Sequence, residues 1–260
     1  QLALKNANIS YKEIDYINNV LDNDIVYNRQ LINKHTVLDA DGTNLIAHYK
    51  FDNNAIDMLL DTSGNNNHLI NNGVTFSNEI FIRGDGSAKL NSTYFDFPSS
   101  INPYNIWNGK GITFCFWFKM TPTGNNYARI FDFSDNAVTT NPSNFLLVCR
   151  YGTTNKLFFG MKISNVDTNQ TTVKEYVDNN WHFISWSIDT TGNWTFYIDN
   201  ELETITASQP KPLGNFIPTK RYIGKSGFVN DVVITSYVDD FRIYDKVLSA
   251  AEVDALYYNK

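Results

Sequence analysis

The most informative segment of the chain is Tyr237-Val-Asp-Asp-Phe-Arg-Ile-Tyr-Asp-Lys-Val-Leu-Ser-Ala-Ala-Glu-Val-Asp-Ala-Leu-Tyr257. Its first half alternates between polar and apolar residues, which is typical of a β-strand. Ser249, followed three residues later by Glu252, forms a capping box in which each side chain satisfies backbone N–H groups at a helix start. The segment therefore predicts a strand that leads into a short C-terminal helix.

One acidic residue of this strand is unusual. Strict alternation places Asp239 on the same face as Phe241 and Ile243, which predicts that its carboxylate is buried. A buried carboxylate without a partner is costly. Asp239 therefore needs a cation, a metal ion or several N–H donors, and the sequence leaves these three alternatives open.

Composition limits the classes of protein to which the chain can belong. The 260 residues are 42% hydrophobic and 15% aromatic, enough to bury a core without cross-links. The net charge of −6 argues against nucleic acid as a partner, because that binding is driven by cationic side chains. The longest apolar run, residues 112–118, is about a third of a membrane span, so we expect no membrane insertion.

The two cysteines, Cys115 and Cys149, lie in apolar runs that are typical of strands. We expect them to be buried free thiols, with a disulfide as the alternative.

Residues 1–43 differ in pattern from the rest. Ser10 and Glu13 form a second capping box before an apolar stripe, which predicts a short helix over 10–22 followed by a polar linker. The pattern of residues 9–17 repeats that of 248–256. This helix is thus a lead-in to the following domain, the tail of a preceding similar module, or unrelated to the C-terminal helix.

From Leu45 onward the hydrophobic period is two, and turn-forming clusters separate many short runs. Residues 184–188 and 194–198 each have one wholly apolar face and are joined by a turn, which predicts a hairpin. We therefore predict an all-β fold: residues 44–260 form a two-sheet antiparallel β-sandwich that ends in a short C-terminal helix, and the short N-terminal helix precedes it.

Five segments carry a resemblance to a known family. They are Leu45-Ile-Ala-His-Tyr-Lys-Phe-Asp52, Asp61-Thr-Ser-Gly-Asn-Asn-Asn-His-Leu69, Gly111-Ile-Thr-Phe-Cys-Phe-Trp-Phe-Lys119, the hairpin from Trp181 to Asn200, and Asp239 to Ser249. In this order they resemble the laminin G-like jelly roll of the concanavalin A-like superfamily. The resemblance implies that the first and last strands of the domain lie close together, and that a structural Ca²⁺ site is to be considered.

A candidate metal site follows from that implied closeness. Asp52, Asp61 and Asn65, in the loop after the first strand, would approach Asp239. Carboxylate and amide oxygens are the ligands that Ca²⁺ prefers. The alternative is that these side chains form Asx turns and cap strand ends, as Asp and Asn commonly do.

A candidate glycan site rests on aromatic and amide side chains in predicted loops. Sugar recognition uses aromatic faces for the apolar side of the ring and amides for the hydroxyls. The predicted ligand-binding residues are Trp107, Asn125, Asn126, Tyr127, Arg129 and Tyr151. The alternative is that these aromatic residues only cover sheet edges and fill the core.

Two other functions find less support. Arg83-Gly84-Asp85 spells an integrin-binding tripeptide, but its glycines favour a tight turn between strands. Glycoside hydrolases of related folds need paired carboxylates, and the nearest candidate strings, Glu13-Ile-Asp15 and Glu201-Leu-Glu203, do not fit that pattern. We therefore assign no catalytic residues and expect no enzyme activity.

These observations favour a non-catalytic binding or adhesion module of a larger extracellular, cell-surface or virion-surface protein. Its expected partner is a glycan or glycoprotein surface, together with neighbouring modules of the same polypeptide. The alternatives are a purely structural assembly module of a multimeric surface or fibre protein and, less favoured, a relative of the glycoside hydrolases.

Overall fold

The computed structural model describes residues 42, 44–122, 126–135, 142–164, 166–203, 208, 210–228 and 235–258. The predicted N-terminal helix and almost all of its linker lie outside these ranges. The division into residues 1–43 and 44–260, and the idea of a preceding module, therefore stay predictions.

The described residues form two sheets, two short α-helices and a 3₁₀ turn at Asp57–Leu59. The helices are α1 (Pro103–Trp107) and α2 (Ala250–Tyr258). The strands are β1 (Leu45–Tyr49), β2 (Ile70–Asn72), β3 (Thr75–Ser77), β4 (Ser87–Asn91), β5 (Tyr94–Asp96), β6 (Ile112–Met120), β7 (Arg129–Ser134), β8 (Phe145–Arg150), β9 (Leu157–Ile163), β10 (Val166–Thr171), β11 (Trp181–Ile188), β12 (Trp194–Ile198), β13 (Glu201–Glu203), β14 (Lys220–Ile223) and β15 (Thr235–Tyr244).

The sheets pack face to face as a sandwich. In the described residues the first sheet has the order β13-β12-β11-β6-β15-β4-β3, with β1 also paired to β15, and the second has the order β10-β9-β8-β7-β14-β5-β2. The strand β15 pairs with β4 through its first half and with β1 through its second, where Leu45 lies opposite Tyr244. The predicted sandwich and the closeness of its first and last strands are confirmed.

The inner faces of both sheets meet in an aromatic core. Phe116 of β6 stacks on Phe241 of β15 with ring centroids 5.2 Å apart, and Phe114 lies 4.9 Å from Phe131 of the second sheet. Each such ring contributes about 1.5–3 kcal/mol through its burial. The predicted hairpin of β11 and β12 is confirmed, with its apolar face in this core.

A second hydrophobic cluster covers the outer face of the first sheet. Cys115, Trp117 and Phe183 pack there against Val253 and Leu256 of helix α2. The capping box is confirmed, since Ser249 N donates to Glu252 Oε2 at 2.8 Å and Glu252 N donates to Ser249 Oγ at 3.3 Å. The helix thus begins where it can lay its apolar residues over the sheet.

The predicted face of Asp239 is wrong. A bulge interrupts the β15–β6 register between Asp239 and Arg242, and Asp240 has a φ of 48°. Because a bulge adds one residue to one strand, Phe241 points into the core while Asp239 lies opposite Trp117 of the outer cluster. Asp239 is fully buried, as predicted, but on the other side of the sheet.

Both cysteines are buried free thiols, as expected. In the described residues, no helix combines the length and the apolar character needed to span a membrane.

Candidate functional site

A cavity of about 270 Å³ lies on the outer face of the second sheet. Its lining residues are Tyr127, Arg129, Phe145, Leu147, Cys149, Phe158 and Phe228. Strand β8 supplies the centre of this lining, because Leu146 and Val148 point into the core and the alternate residues Phe145, Leu147 and Cys149 point outward. The strand is therefore apolar on both faces.

Gly160 leaves space for two of the rings that line the cavity. Gly160 of β9 lies opposite Leu147 of β8. A Cβ atom on Gly160 would come within 2.5 Å of Phe158 Cε1 and 3.3 Å of Phe145 Cε2. The rings of Phe158 and Phe145 therefore come close over the glycine backbone, and only glycine allows this arrangement without displacing them.

Two tyrosines form the rim. Tyr127 and Tyr151 are each 39% exposed, and their rings meet edge to face with centroids 6.1 Å apart. Tyr151 also stacks on Phe158, at 5.8 Å and an interplanar angle of 12°. The rim thus presents two nearly perpendicular aromatic rings to solvent, and Asn126, next to Tyr127 in sequence, is also exposed.

An arginine forms one wall and is held firmly in place. Arg129 is buried, its Nε donates to Asp132 Oδ2 at 3.1 Å, and its Nη1 donates to the carbonyl of Tyr127. Its guanidinium lies over the ring of Phe228, 4.9 Å from the centroid. Burial raises the pKa of Asp132, and the charge of Arg129 opposes that rise. Because Asp132 also accepts from Gly227 N, this ion pair fixes the segment that carries Phe228.

Three of the predicted ligand-binding residues, Tyr127, Arg129 and Tyr151, come together at the cavity, with Asn126 next in sequence to Tyr127. Asn125 lies outside the described residues. Trp107 lies elsewhere: its Nε1 donates to the carbonyl of Asp189 at 3.0 Å. Trp107 precedes β6 and Tyr127 follows it, so they lie beyond opposite ends of this strand, which is about 30 Å long.

Sequence reasoning missed the floor of the cavity: Phe145, Leu147, Cys149, Phe158 and Phe228. The available signal was the unbroken apolar run Phe145-Leu-Leu-Val-Cys149. In an antiparallel sheet, one face is commonly solvated, so a run that is apolar on both faces indicates a covered or binding surface.

The predicted metal ligands do not form one site in the described residues. Asp61 Oδ1 accepts from His48 N and Ser63 N, each at 2.9 Å, and Oδ2 accepts from Asn67 N at 2.9 Å. Asn65 turns its Nδ2 donor toward the carbonyl of Leu45 at 2.9 Å. These two side chains thus hold the loop against β1, as expected if they form turns and cap strand ends instead of binding a metal ion.

The other two predicted ligands also accept from backbone N–H groups. Asp239 Oδ2 accepts from Ile82 N at 3.0 Å and Arg83 N at 2.9 Å, while Asp52 Oδ1 accepts from Asp85 N at 3.0 Å. No cluster of His, Cys, Asp or Glu suited to a metal ion occurs in the described ranges. The residues thus do not fit a shared Ca²⁺ site, and calcium binding stays a prediction.

The Arg83-Gly84-Asp85 tripeptide forms a turn in which the arginine is buried. Gly84 has a φ of 56°, and Arg83 is only 7% exposed. Arg83 Nη2 donates to the carbonyl of Leu256 at 2.8 Å, and its guanidinium lies 5.1 Å from the ring centroid of Trp117. An integrin motif must be exposed, so the geometry favours the turn.

A second, polar cleft of about 220 Å³ borders this turn. There, His48 Nε2 lies 2.6 Å from Asp240 Oδ1, and Arg242 Nη2 lies 3.1 Å from the same oxygen. Burial alone would raise the pKa of Asp240, but Arg242 and His48 hold it well below its usual range. Because these charges neutralise one another, the cleft is a weaker candidate than the aromatic cavity.

Comparison with known structures shows the same fold. Domain 4 of an extracellular GH43 arabinanase from Geobacillus stearothermophilus, in complex with arabinotriose, is 18% identical, with a TM-score of 0.60, and the match covers 82% of this chain and 98% of that one. The binding domain of botulinum neurotoxin serotype D is 18% identical, with a TM-score of 0.61, and coverage of 84% and 52%.

The binding domain of botulinum neurotoxin DC in complex with SialylT is 20% identical, with a TM-score of 0.59 and coverage of 84% and 52%. The matched part thus spans about half the length of these toxin domains. No curated protein matches the sequence significantly.

The sequence itself matches the laminin G-like family model, described as the concanavalin A-like lectin/glucanases superfamily, over residues 89–254. This range is more than half of the 260-residue chain. It contains the cavity strands β7, β8 and β9 and the closing strand β15. The chain therefore belongs to the laminin G-like family of the concanavalin A-like lectin/glucanases superfamily.

Proposed function

We propose that this protein is a non-catalytic glycan-binding module and that the aromatic cavity of the second sheet is its binding site. The observation that carries the proposal is the pair of exposed tyrosines, Tyr127 and Tyr151, set at nearly a right angle over an aromatic floor. Aromatic faces of this kind pack against the apolar side of a sugar ring.

The rigidity of the site supports this function. The lining residues stand largely on β8 and β9, and the buried pair of Arg129 and Asp132 holds the opposite wall. A preformed site loses little conformational entropy on binding, so it retains more of its contact energy as affinity. The complexes of fold neighbours with arabinotriose and with SialylT concern those proteins, and they guide the choice of ligands to test.

The chemistry of the cavity favours binding without catalysis. Among the described residues, none that lines the cavity carries a carboxylate, whereas glycoside hydrolysis generally uses two carboxyl groups about 5–10 Å apart. The carboxylate of Asp132, which pairs with Arg129 of the lining, is fully buried and accepts from Arg129 and Gly227. We propose a setting outside the cell, on a cell or virion surface, with a glycan or glycoprotein as partner.

A glycan array probed with the intact protein tests the proposal. Reproducible binding to a defined set of glycans is the expected result, and Tyr127→Ala and Tyr151→Ala should each weaken it about tenfold, as truncation of a contact tyrosine commonly does. Tyr258→Ala is the matched control, because Tyr258 is similarly exposed, at 44%, on helix α2.

Two outcomes would contradict the proposal. Silence across the array would favour the structural assembly module instead. Binding that survives both cavity substitutions would place the glycan site elsewhere, and the Trp107→Ala variant would then test the opposite end of the sandwich.

A further inference from the structure

We infer that the cavity selects glycans that carry a methyl-terminated substituent, an acetamido group or a 6-deoxy methyl, and that this substituent occupies the cavity floor. The inference rests on the proposed function and names the class of sugar that the same site takes. It follows from the contrast between the floor of the cavity and its rim.

The floor offers a ligand almost no hydrogen bonds. Phe145, Leu147, Phe158 and Phe228 are hydrocarbon, and Cys149 is a buried thiol, which behaves as a small hydrophobe. Arg129 is the one cation among the lining residues that the structure describes, and its Nε and Nη1 groups donate to protein oxygens. A sugar hydroxyl placed on this floor would give up water without regaining a partner, which is unfavourable.

The rim has the opposite character. The exposed Tyr127 and Tyr151 offer hydroxyl groups as well as ring faces, and the exposed Asn126, which precedes Tyr127, carries an amide. A ligand that satisfies both parts has a polar body at the rim and a short apolar end in the floor. An unsubstituted pyranose has hydroxyls around its ring and lacks such an end.

The size of the cavity limits how much enters it. At about 270 Å³, it lies just below the range of about 300–1,000 Å³ that is typical of small-molecule sites. It therefore accepts no more than one monosaccharide residue, whereas an oligosaccharide must continue across the rim. A terminal or branching residue with a methyl-bearing substituent fits this limit.

Matched pairs of sugars test the inference on the unmodified protein. Each pair differs in one group: N-acetylglucosamine with glucose, N-acetylgalactosamine with galactose, and 6-deoxygalactose with galactose. We expect the methyl-bearing member of at least one pair to bind about tenfold more tightly, the usual gain from one apolar group in a fitted pocket. Saturation-transfer NMR should give its strongest signal on the methyl protons.

A substitution in the floor gives a second test. Leu147→Phe narrows the cavity from its outward face, so it should remove the preference within each pair while leaving weak binding at the tyrosine rim. Leu202→Phe is the matched control, since Leu202 is 59% exposed on β13 of the other sheet. If Leu147→Phe fails to fold, the sugar pairs on the unmodified protein still decide the matter.

The possible failures are distinguishable. No binding to any glycan on the array would overturn the proposed function. Equal binding of both members of all three pairs, or a saturation signal confined to ring protons, would overturn this inference and leave the function standing. Tight binding of a small apolar molecule with no sugar, such as cyclohexane, in the same cavity would also overturn the preference for a glycan substituent.

Discussion

The outer faces of the two sheets are built from similar residues and differ in what covers them. Each carries a buried free cysteine, aromatic rings and an arginine over one ring: Arg83 over Trp117 on the first sheet and Arg129 over Phe228 on the second. On the first sheet, helix α2 closes the face into a second core. On the second sheet, the rings surround a cavity open at two tyrosines.

This difference teaches that an apolar outer face is by itself ambiguous. The first face is a stability element, because Trp117 and Phe183 are buried beneath Leu256 and its neighbours. On the second face, Tyr127 and Tyr151 remain more than a third exposed. These rings therefore contribute little to stability and remain available to a ligand. The same residue types thus serve folding on one face and, in our proposal, recognition on the other.

The largest expected effect on stability comes from removing a buried ring from the outer face of the first sheet. Trp117→Ala should lower the free energy of unfolding by about 3–5 kcal/mol, because it removes a large buried ring and leaves a cavity beneath α2. Urea denaturation measures the change. Tyr151→Ala on the open face is the control and should cost about 1 kcal/mol or less.

Equal losses for the two variants would break the comparison. They would mean that the rim tyrosines are as structural as the covered tryptophan, and the cavity would then be a packing defect rather than a binding site. A small loss for Trp117→Ala alone would show that helix α2 contributes little to closing the first sheet.

Sequence patterns were sufficient for the architecture. Period-two alternation from Leu45 and the capping box at Ser249 and Glu252 predicted the sandwich and its closing helix, because burial of alternate side chains and satisfaction of helix-end N–H groups are local requirements. The closeness of the first and last strands was implied only by the family resemblance, and the pairing of β1 with β15 confirms it.

The candidate site was less accessible to such reasoning. The bulge at Asp240 places a non-glycine residue at positive φ, which no spacing rule predicts, and it reversed the expected face of Asp239. The cavity depends on Gly160 and on rings from four separate segments. Tyr127 and Tyr151 were found because they stand in loops, whereas Leu147 and Phe158 look like ordinary strand residues.

A moderate effect is expected at the start of the covering helix. Ser249→Ala removes the side chain that accepts from Glu252 N, and loss of an N-cap costs about 0.5–2 kcal/mol. The free energy of unfolding should fall by that amount, while glycan affinity should not change. A parallel loss of affinity would show that the covered and open faces are coupled, contrary to the comparison.

A smaller, pH-dependent effect is expected at the start of strand β11 of the first sheet. Burial alone would lower the pKa of His182, but its Nδ1 lies 2.7 Å from Asp199 and its Nε2 3.0 Å from Asp178, and these carboxylates raise the pKa above its ordinary value. The stabilisation is therefore complete below about pH 6.5 and is lost as the pH rises through the raised pKa.

His182→Gln should remove this part of the pH dependence of unfolding, measured by urea denaturation in steps across that window. A slope that persists in the variant would assign the titration to another group. Because His182 lies on the first sheet and does not line the cavity, glycan affinity should be the same for both proteins at a fixed pH.

The smallest expected effect is that of calcium on thermal stability. Asp61 already accepts from N–H donors on both oxygens, and Asn65 donates to a backbone carbonyl. The loop after β1 is therefore held by the chain's own hydrogen bonds. A ligand that binds only the native state raises the melting temperature. Excess Ca²⁺ and excess chelator should therefore give the same melting temperature in differential scanning calorimetry. A rise with Ca²⁺ that Asp239→Asn abolishes would instead assign the ion to the buried carboxylate beneath Arg83, and the covered face would then depend on a metal as well as on packing.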